Sequence, residues 1–200
     1  VDALYRSGAS LGLDAEASRV LELTWKAFVR SGAKLCDAEQ ARLAAINERL
    51  AALGTSFSQN VLADEREPAL LLKTTGELQG LPDSLIASMR VAANERGNAR
   101  GFVVTLSRSI IEPFLTFSER RDLREKAFTI WAARGAGDGE HDNRPLVAEI
   151  VALRAEKAVL LGYDSFAHFK LDDTMAKRPE NVRALLETVW RKACARAAKE

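Results

Sequence analysis

The sequence is poor in histidine, the commonest metal ligand among side chains. It has only two histidines, His141 and His168, and neither is followed by a glutamate or by a second histidine four residues on. In the zinc motif H-E-x-x-H, that spacing places both imidazoles on one face of a helix, with the glutamate beside the metal-bound water. Nothing in this sequence can form the motif, which excludes that kind of zinc hydrolase site within these 200 residues.

Cysteine is equally scarce. Cys36 and Cys194 lie far apart in helix-like sequence, so we expect two small buried side chains and no disulfide, as in a reducing compartment. This usage favours the cytoplasm; the alternative is a periplasmic parent whose signal peptide preceded Val1. Because the chain starts without methionine and ends at Glu200 inside a helical pattern, we expect part of a longer protein.

Long apolar runs and an excess of one charge are also missing. The longest runs, such as 69–72, fall far short of the roughly 20 apolar residues of a membrane span. Lysine and arginine total 29 against 28 aspartates and glutamates, so the balance indicates neither nucleic acid nor an anionic membrane as a partner. With 47% hydrophobic residues, the composition is typical of a globular protein.

Apolar residues recur mostly at helical spacing, which predicts a mainly α fold of antiparallel helical hairpins and a bundle, with at most a small two-stranded sheet. We divide the chain into a helical hairpin (1–67), a strand-helix-strand insert (68–107) and a helical bundle (108–200). Helices are predicted over 14–34, 37–64, 82–96, from 109, from 118, over 142–161 and 165–172, and from 179. Strands are predicted over 69–73 and 102–106.

Four features of these helices are specific predictions. Ser118 has the character of an N-cap, and Gly162 that of a left-handed helix stop. The second helix should bury a stripe made of Leu43, Ile46, Leu50, Leu53, Phe57 and Val61. The last helix should turn a similar stripe inward, made of Val182, Leu185, Leu186, Val189 and Trp190.

The glycine-rich loop 135–139 (Gly135-Ala136-Gly137-Asp138-Gly139) is open to two ligand hypotheses. It could cradle a phosphate, but it leads into Glu140, His141 and Asp142 rather than Gly-Lys-Ser/Thr, so a connector is favoured. Asp138, Glu140, His141 and Asp142 could instead hold a cation. However, an EF-hand loop counted from Asp138 would have Asn143 where glycine is required, so a carboxylate-rich helix start is favoured.

No group is assigned a catalytic, cofactor-binding or metal-binding role. His168, between Ala167 and Phe169, is expected to be a partly buried packing residue, although a hydrolase that uses it with an acidic partner is a third, weaker possibility. The sequence shows no base near a nucleophilic serine or cysteine.

The last helix carries an excess of basic side chains, made of Lys177, Arg178, Arg183, Arg191, Lys192, Arg196 and Lys199 against Glu180, Glu187 and Glu200. Such a helix can bind membranes or partner proteins, but a solvated or protein-packed face is favoured.

Several runs together resemble one family, the thimet oligopeptidase-like zinc metallopeptidases, and within it the bacterial peptidyl-dipeptidase and oligopeptidase A branches. The similarity covers nearly the whole chain, and the order and spacing of the runs make it specific. The runs are 28–35 (FVRSGAKL), 53–62 (LGTSFSQNVL), 77–82 (ELQGLP), 142–145 (DNRP), 153–158 (LRAEKA), 160–163 (LLGY) and 175–176 (MA).

The resemblance implies a mostly helical, two-lobed parent enzyme with a deep channel, which hydrolyses short peptides with one zinc bound by H-E-x-x-H and a downstream glutamate. That motif would lie well C-terminal to this segment, so no catalytic or zinc-binding residue is carried onto it. We therefore expect a non-catalytic N-terminal part that forms one channel wall, with the C-terminal catalytic lobe as its partner. The alternative is a self-standing helical protein-interaction module. A fragment should also expose apolar surface where its missing lobe would pack, so we expect it to self-associate.

Overall fold

The fold is mainly helical, as predicted. A computed structural model describes residues 1–66, 70–98, 100–136 and 139–200. Within these residues the chain forms nine α-helices, two short 3-10 helices and one two-stranded sheet. The helices are α1 (Asp2–Arg6), α2 (Ala15–Arg30), α3 (Asp37–Arg66), α4 (Asp83–Glu95), α5 (Arg108–Phe117), α6 (Arg121–Ala132), α7 (Arg144–Leu160), α8 (Phe166–Leu171) and α9 (Pro179–Ala197). The strands are β1 (Leu70–Leu72) and β2 (Phe102–Val104), and the 3-10 helices are Gly8–Ser10 and Thr75–Leu78.

Local capping chemistry explains several boundaries. The Asp14 carboxylate accepts a 2.7 Å hydrogen bond from the Ala17 amide, which fixes the start of α2. Gly162 adopts a left-handed φ of 81° directly after α7, and this confirms the predicted stop. Ser165 caps α8 by accepting from the His168 amide. The paired strands were also predicted, and they run antiparallel with Leu71 opposite Val103.

Ser118 does not begin a helix, so that prediction was wrong. It follows the last residue of α5 with an extended backbone (φ −60°, ψ 128°), and α6 begins only at Arg121. Its hydroxyl accepts from the Arg120 amide, and its carbonyl accepts from the Arg124 guanidinium. The side chain is buried in this turn, where it serves the corner between two helices rather than the start of one.

The chain divides into two compact units, residues 1–51 with 150–200, and residues 52–149. In the second unit the buried core lies between the sheet and helices α4, α5 and α6. Phe114, Ile111, Met89, Val103 and Val104 are fully buried, and each large apolar side chain of this kind stabilises the fold by about 1.5–3 kcal/mol. The predicted segment boundaries at 67 and 107 are untested and stay a prediction.

In the first unit, polar contacts join helices that are distant in sequence. Arg42 on α3 forms a bidentate ion pair with Glu156 on α7 (2.6 and 2.7 Å), and the Lys157 ammonium donates to the Asn47 side chain at 2.6 Å. Burial lowers the pKa of Lys157. Apolar burial contributes less to the stability of this unit than of the second one, because few of its side chains are buried, among them Leu43 and Ile46.

Two predictions about burial were wrong. Of the α3 stripe, Leu43, Ile46 and Leu53 are buried as expected, but Phe57 is exposed. Of the α9 stripe, Val182 is half-buried, but Leu185, Leu186, Val189 and Trp190 are 56–69% exposed and so are not turned inward. The apolar pattern had identified the face but not what would cover it.

The cysteines were also predicted to be buried, and both are exposed free thiols. Cys36 lies in the turn before α3, and Cys194 lies on the exposed helix α9. Neither position has the apolar surroundings that would make a cysteine a core residue.

Candidate functional site

His168 lies in the first turn of α8, where it contacts the residue that caps this helix. Its Nδ1 lies 2.8 Å from the Ser165 hydroxyl, which also caps α8, and its Nε2 lies 3.8 Å from a carboxylate oxygen of Glu180. The order serine, histidine, glutamate resembles a hydrolytic triad. However, the Glu180 contact is too long for a hydrogen bond, the Glu180 side chain is 69% exposed, and the Ser165 oxygen is engaged by the helix start. The arrangement therefore fits packing and capping, as predicted for a partly buried residue.

The acidic loop does not assemble a cation site in its described part. Gly137 and Asp138 lie outside the described residues, and His141 is exposed. The carboxylate of Asp142 accepts hydrogen bonds from the backbone amide and the guanidinium Nε of Arg144, both at 2.9 Å. The bond from the guanidinium lowers the pKa of Asp142. Within residues 1–66, 70–98, 100–136 and 139–200, no three histidine, cysteine or acidic side chains cluster as metal ligands would. The described residues therefore do not fit a zinc centre.

The amide of Gly135, the first glycine of that loop, is already occupied. It donates a 2.6 Å hydrogen bond to the carboxylate of Asp64 on α3. Gly135 also has a left-handed φ of 69°, and an added Cβ would lie 3.0 Å from the Asn143 side chain. A loop amide that serves a carboxylate of the same chain supports the connector interpretation over a phosphate cradle.

Asn143 is the polar centre of the second unit, whereas the sequence pattern placed it only at the start of a predicted helix. Its side-chain oxygen accepts from Asn60 at 2.9 Å, and its side-chain nitrogen donates to the Phe57 carbonyl at 3.2 Å. Its own amide donates to the Gly135 carbonyl at 2.8 Å. The side chain is 2% exposed, so these bonds fix the loop and the start of α7 against α3.

Arg30 plays the matching part in the first unit. Its guanidinium donates to the Phe169 carbonyl at 2.8 Å, covers the Phe169 ring at 4.4 Å, and lies 3.4 Å from both Asp172 and Asp173. The Tyr163 hydroxyl donates to Asp172, and burial with the nearby Asp172 charge raises the pKa of Tyr163. The cluster ties α2 to the segment around α8.

These contacts show what the family-like sequence runs do structurally. Arg30, Asn143, Glu156 and Lys157 belong to runs on which the resemblance rests, and each contacts a residue more than 80 positions away in the sequence. Tyr163 belongs to such a run as well, and its contact with Asp172 is local. The sequence signal was therefore present in the runs. It could not tell scaffold residues from residues that meet a ligand.

Two apolar surfaces of the first unit remain exposed. One is the α9 face described above. The other is a groove of about 590 Å³ along α1 and the first half of α2, lined by Leu4, Leu11, Leu13, Val20 and Leu21, with Asp14 and Glu16 beside them. None of the helices in the described residues is long and apolar enough to cross a membrane.

Comparison with known proteins identifies relatives of the whole chain. Residues 114–200 match the sequence model of peptidase family M3. The chain is 33% identical over 200 residues to the dipeptidyl carboxypeptidase of Escherichia coli, covering all of this chain and 29% of that protein. It is 31% identical over 192 residues to oligopeptidase A of Salmonella typhimurium, covering 94% of this chain and 28% of that protein. It is 24% identical over 189 residues to saccharolysin of Saccharomyces cerevisiae, covering 94% and 25%.

These matches confirm the predicted resemblance to this metallopeptidase family. The chain is a peptidase-related segment, and it spans only 25–29% of the lengths of these three relatives. The remaining part of each relative has no counterpart in the 200 residues.

Proposed function

We propose that this chain is the non-catalytic N-terminal part of a zinc metallopeptidase of the peptidyl-dipeptidase or oligopeptidase type, and that it forms one wall of the channel that admits short peptides. The observation that carries the proposal is the alignment of all 200 residues with 29% of a dipeptidyl carboxypeptidase. The partner of this segment is then the C-terminal catalytic lobe, and the zinc belongs to that lobe.

The side-chain chemistry supports a scaffold. The two histidines are separate, one exposed and one engaged in a helix cap. The polar clusters around Arg30 and Asn143 join helices and are saturated by groups of this chain. A segment built in this way contributes shape and rigidity, which position a catalytic lobe and restrict access to its channel.

A chimera tests the scaffold role. In the E. coli dipeptidyl carboxypeptidase, the aligned segment is replaced by this chain, and release of dipeptides from a blocked tripeptide is measured. We expect measurable hydrolysis in the chimera and none in a matched enzyme from which the segment is deleted. Full activity of the deleted enzyme would refute a required channel wall.

The chain alone tests the non-catalytic role. We expect no hydrolysis of short fluorogenic peptides and no stoichiometric zinc after purification. A zinc content near one atom per chain, together with peptide cleavage that a chelator abolishes, would overturn the proposal. The variant His168→Ala is a control for the triad-like contact. If the chain hydrolyses peptides and this variant does not, the chain is an independent hydrolase.

The second candidate is a self-standing helical interaction module, and the observation that favours it is the exposed apolar face of α9. The gene sequence after Glu200 separates the two. An open frame that continues to H-E-x-x-H favours the peptidase segment, whereas a stop codon there favours the module. For the compartment we propose the cytoplasm, with the periplasm as the alternative, and fractionation of cells that express the gene tests this.

A further inference from the structure

The α9 face has the features of a helix that docks into an apolar groove. Leu185, Leu186, Val189 and Trp190 lie within six consecutive positions of one helix, and all are more than half exposed. Spacings of three and four residues place them on one side of the helix. Amphipathic helices bind grooves through such anchors, and tryptophan is enriched among the residues that dominate binding energy.

The α1–α2 groove has the complementary shape and apolarity. Six valine and leucine side chains line about 590 Å³ of space, enough for several large side chains of a docked helix. Val20 and Leu4, on the two helices that form it, are 58% and 54% exposed. The groove therefore presents apolar surface of the kind that marks an interaction site.

The charges around the two surfaces are opposite. Residues 177–200 carry seven basic and three acidic side chains, whereas residues 1–24 carry four acidic and two basic ones. Asp14 and Glu16 lie at the groove itself. A basic helix is attracted to an acidic rim, and the same charges oppose contact between two copies of α9.

We propose that α9 of one copy of this chain docks into the α1–α2 groove of a second copy. The contact is heterologous, because two different surfaces meet, so a pair keeps one unused groove on the copy that supplies α9 and one unused α9 on the other copy. Association is therefore open-ended and grows with concentration. The proposal does not depend on the peptidase function.

Two variants, each lacking one surface, test this arrangement. Val20→Lys places a positive charge in the groove, and Trp190→Glu places a negative charge on the helix. In analytical ultracentrifugation across the micromolar range, we expect the unmodified chain to form dimers and larger species. Each variant alone should associate at least about 30-fold more weakly, the loss typical of a tryptophan hot spot.

Mixing the two variants gives the decisive measurement. The first retains an intact helix and the second an intact groove, so an equimolar mixture should recover association but stop at the dimer. If the mixture stays monomeric, α9 does not dock into the groove and the proposal is wrong. A monomeric unmodified chain at every concentration would overturn it as well.

Controls separate the contact from general effects. Val91→Lys, at an exposed position on α4, should leave association unchanged. If this variant no longer associates, the contact is not confined to α9 and the α1–α2 groove, and the proposal is wrong. If Val20→Lys changes the circular dichroism spectrum, Leu13→Lys replaces it, since Leu13 lines the same groove outside the helices.

Discussion

Replacing Asn143 by aspartate exchanges one buried nitrogen for an oxygen without changing the size of the side chain. In the native protein that nitrogen donates to the Phe57 carbonyl at 3.2 Å, while the side-chain oxygen accepts from Asn60. After the substitution, an ionised oxygen would face the carbonyl oxygen. The position is 2% exposed, so water cannot compensate.

The expected cost follows from three contributions. Losing the bond to Phe57 removes about 1 kcal/mol, and the Asn60 bond gains about 1 kcal/mol as it becomes charge-assisted. Burying the new carboxylate without a cation adds several kcal/mol, by comparison with buried charges that have lost a partner. We expect the free energy of unfolding to fall by about 3 kcal/mol at neutral pH.

The pH dependence has a definite sign. Burial raises the folded-state pKa of the introduced carboxyl above its unfolded value of about 3.9. The variant is therefore closest to the native protein below that value, where the protonated group can again donate to Phe57. The deficit grows as the pH rises through the folded-state pKa.

Urea denaturation of both proteins at pH 5 and pH 7.5 measures this deficit. The matched control is Asn94→Asp at an exposed position of α4, which should change stability by less than about 0.5 kcal/mol. A deficit below about 1 kcal/mol at pH 7.5, or one equal at the two pH values, would show that Asn143 is not the buried donor described above.

Three other expectations concern separate parts of the chain. Glu77 accepts from two backbone amides and a hydroxyl, which lower its pKa, so Glu77→Gln should cost about 1 kcal/mol near neutrality. The extra stability of the native protein over this variant should be complete above pH 4.5, and it should be lost as the pH falls through the lowered pKa of Glu77 in the folded state. Urea denaturation at a series of pH values measures this difference. Arg30→Lys should cost about 1–2 kcal/mol because a single ammonium cannot both donate to the Phe169 carbonyl and cover its ring, whereas Arg19→Lys in an exposed ion pair should be neutral in the same assay. A chelator should leave the melting temperature unchanged, and a fall of several degrees would reveal a structural metal.

Sequence reasoning identified most elements because capping and stop residues act locally. Gly162 performs the role predicted for it, and the strand pair lies within the predicted segments. It failed at Ser118, where an extended corner between α5 and α6 uses the same hydroxyl chemistry as a helix start. The sequence shows that a serine can accept a hydrogen bond from a backbone amide, but it does not show whether that serine begins a helix or lies in the turn between two helices.

The candidate sites were harder to foresee. A stripe such as that of α9 shows which face is apolar, but only the tertiary structure shows that Leu185 and Trp190 are exposed. The hydrogen-bond partners of the Arg30 and Asn143 side chains include residues more than 80 positions away in sequence, so no local pattern could connect them. The absence of a zinc motif, in contrast, was readable at once, because that chemistry requires a fixed local spacing.

The position of Trp190 gives the chain an optical reporter. An indole in water fluoresces at longer wavelength than one enclosed by aliphatic side chains, and Trp190 is 69% exposed, while Trp25 and Trp131 are partly buried in the two units. Any process that encloses α9 should therefore shift the emission toward the blue without an added dye. The same titration would follow a second copy, a catalytic lobe or an unrelated partner.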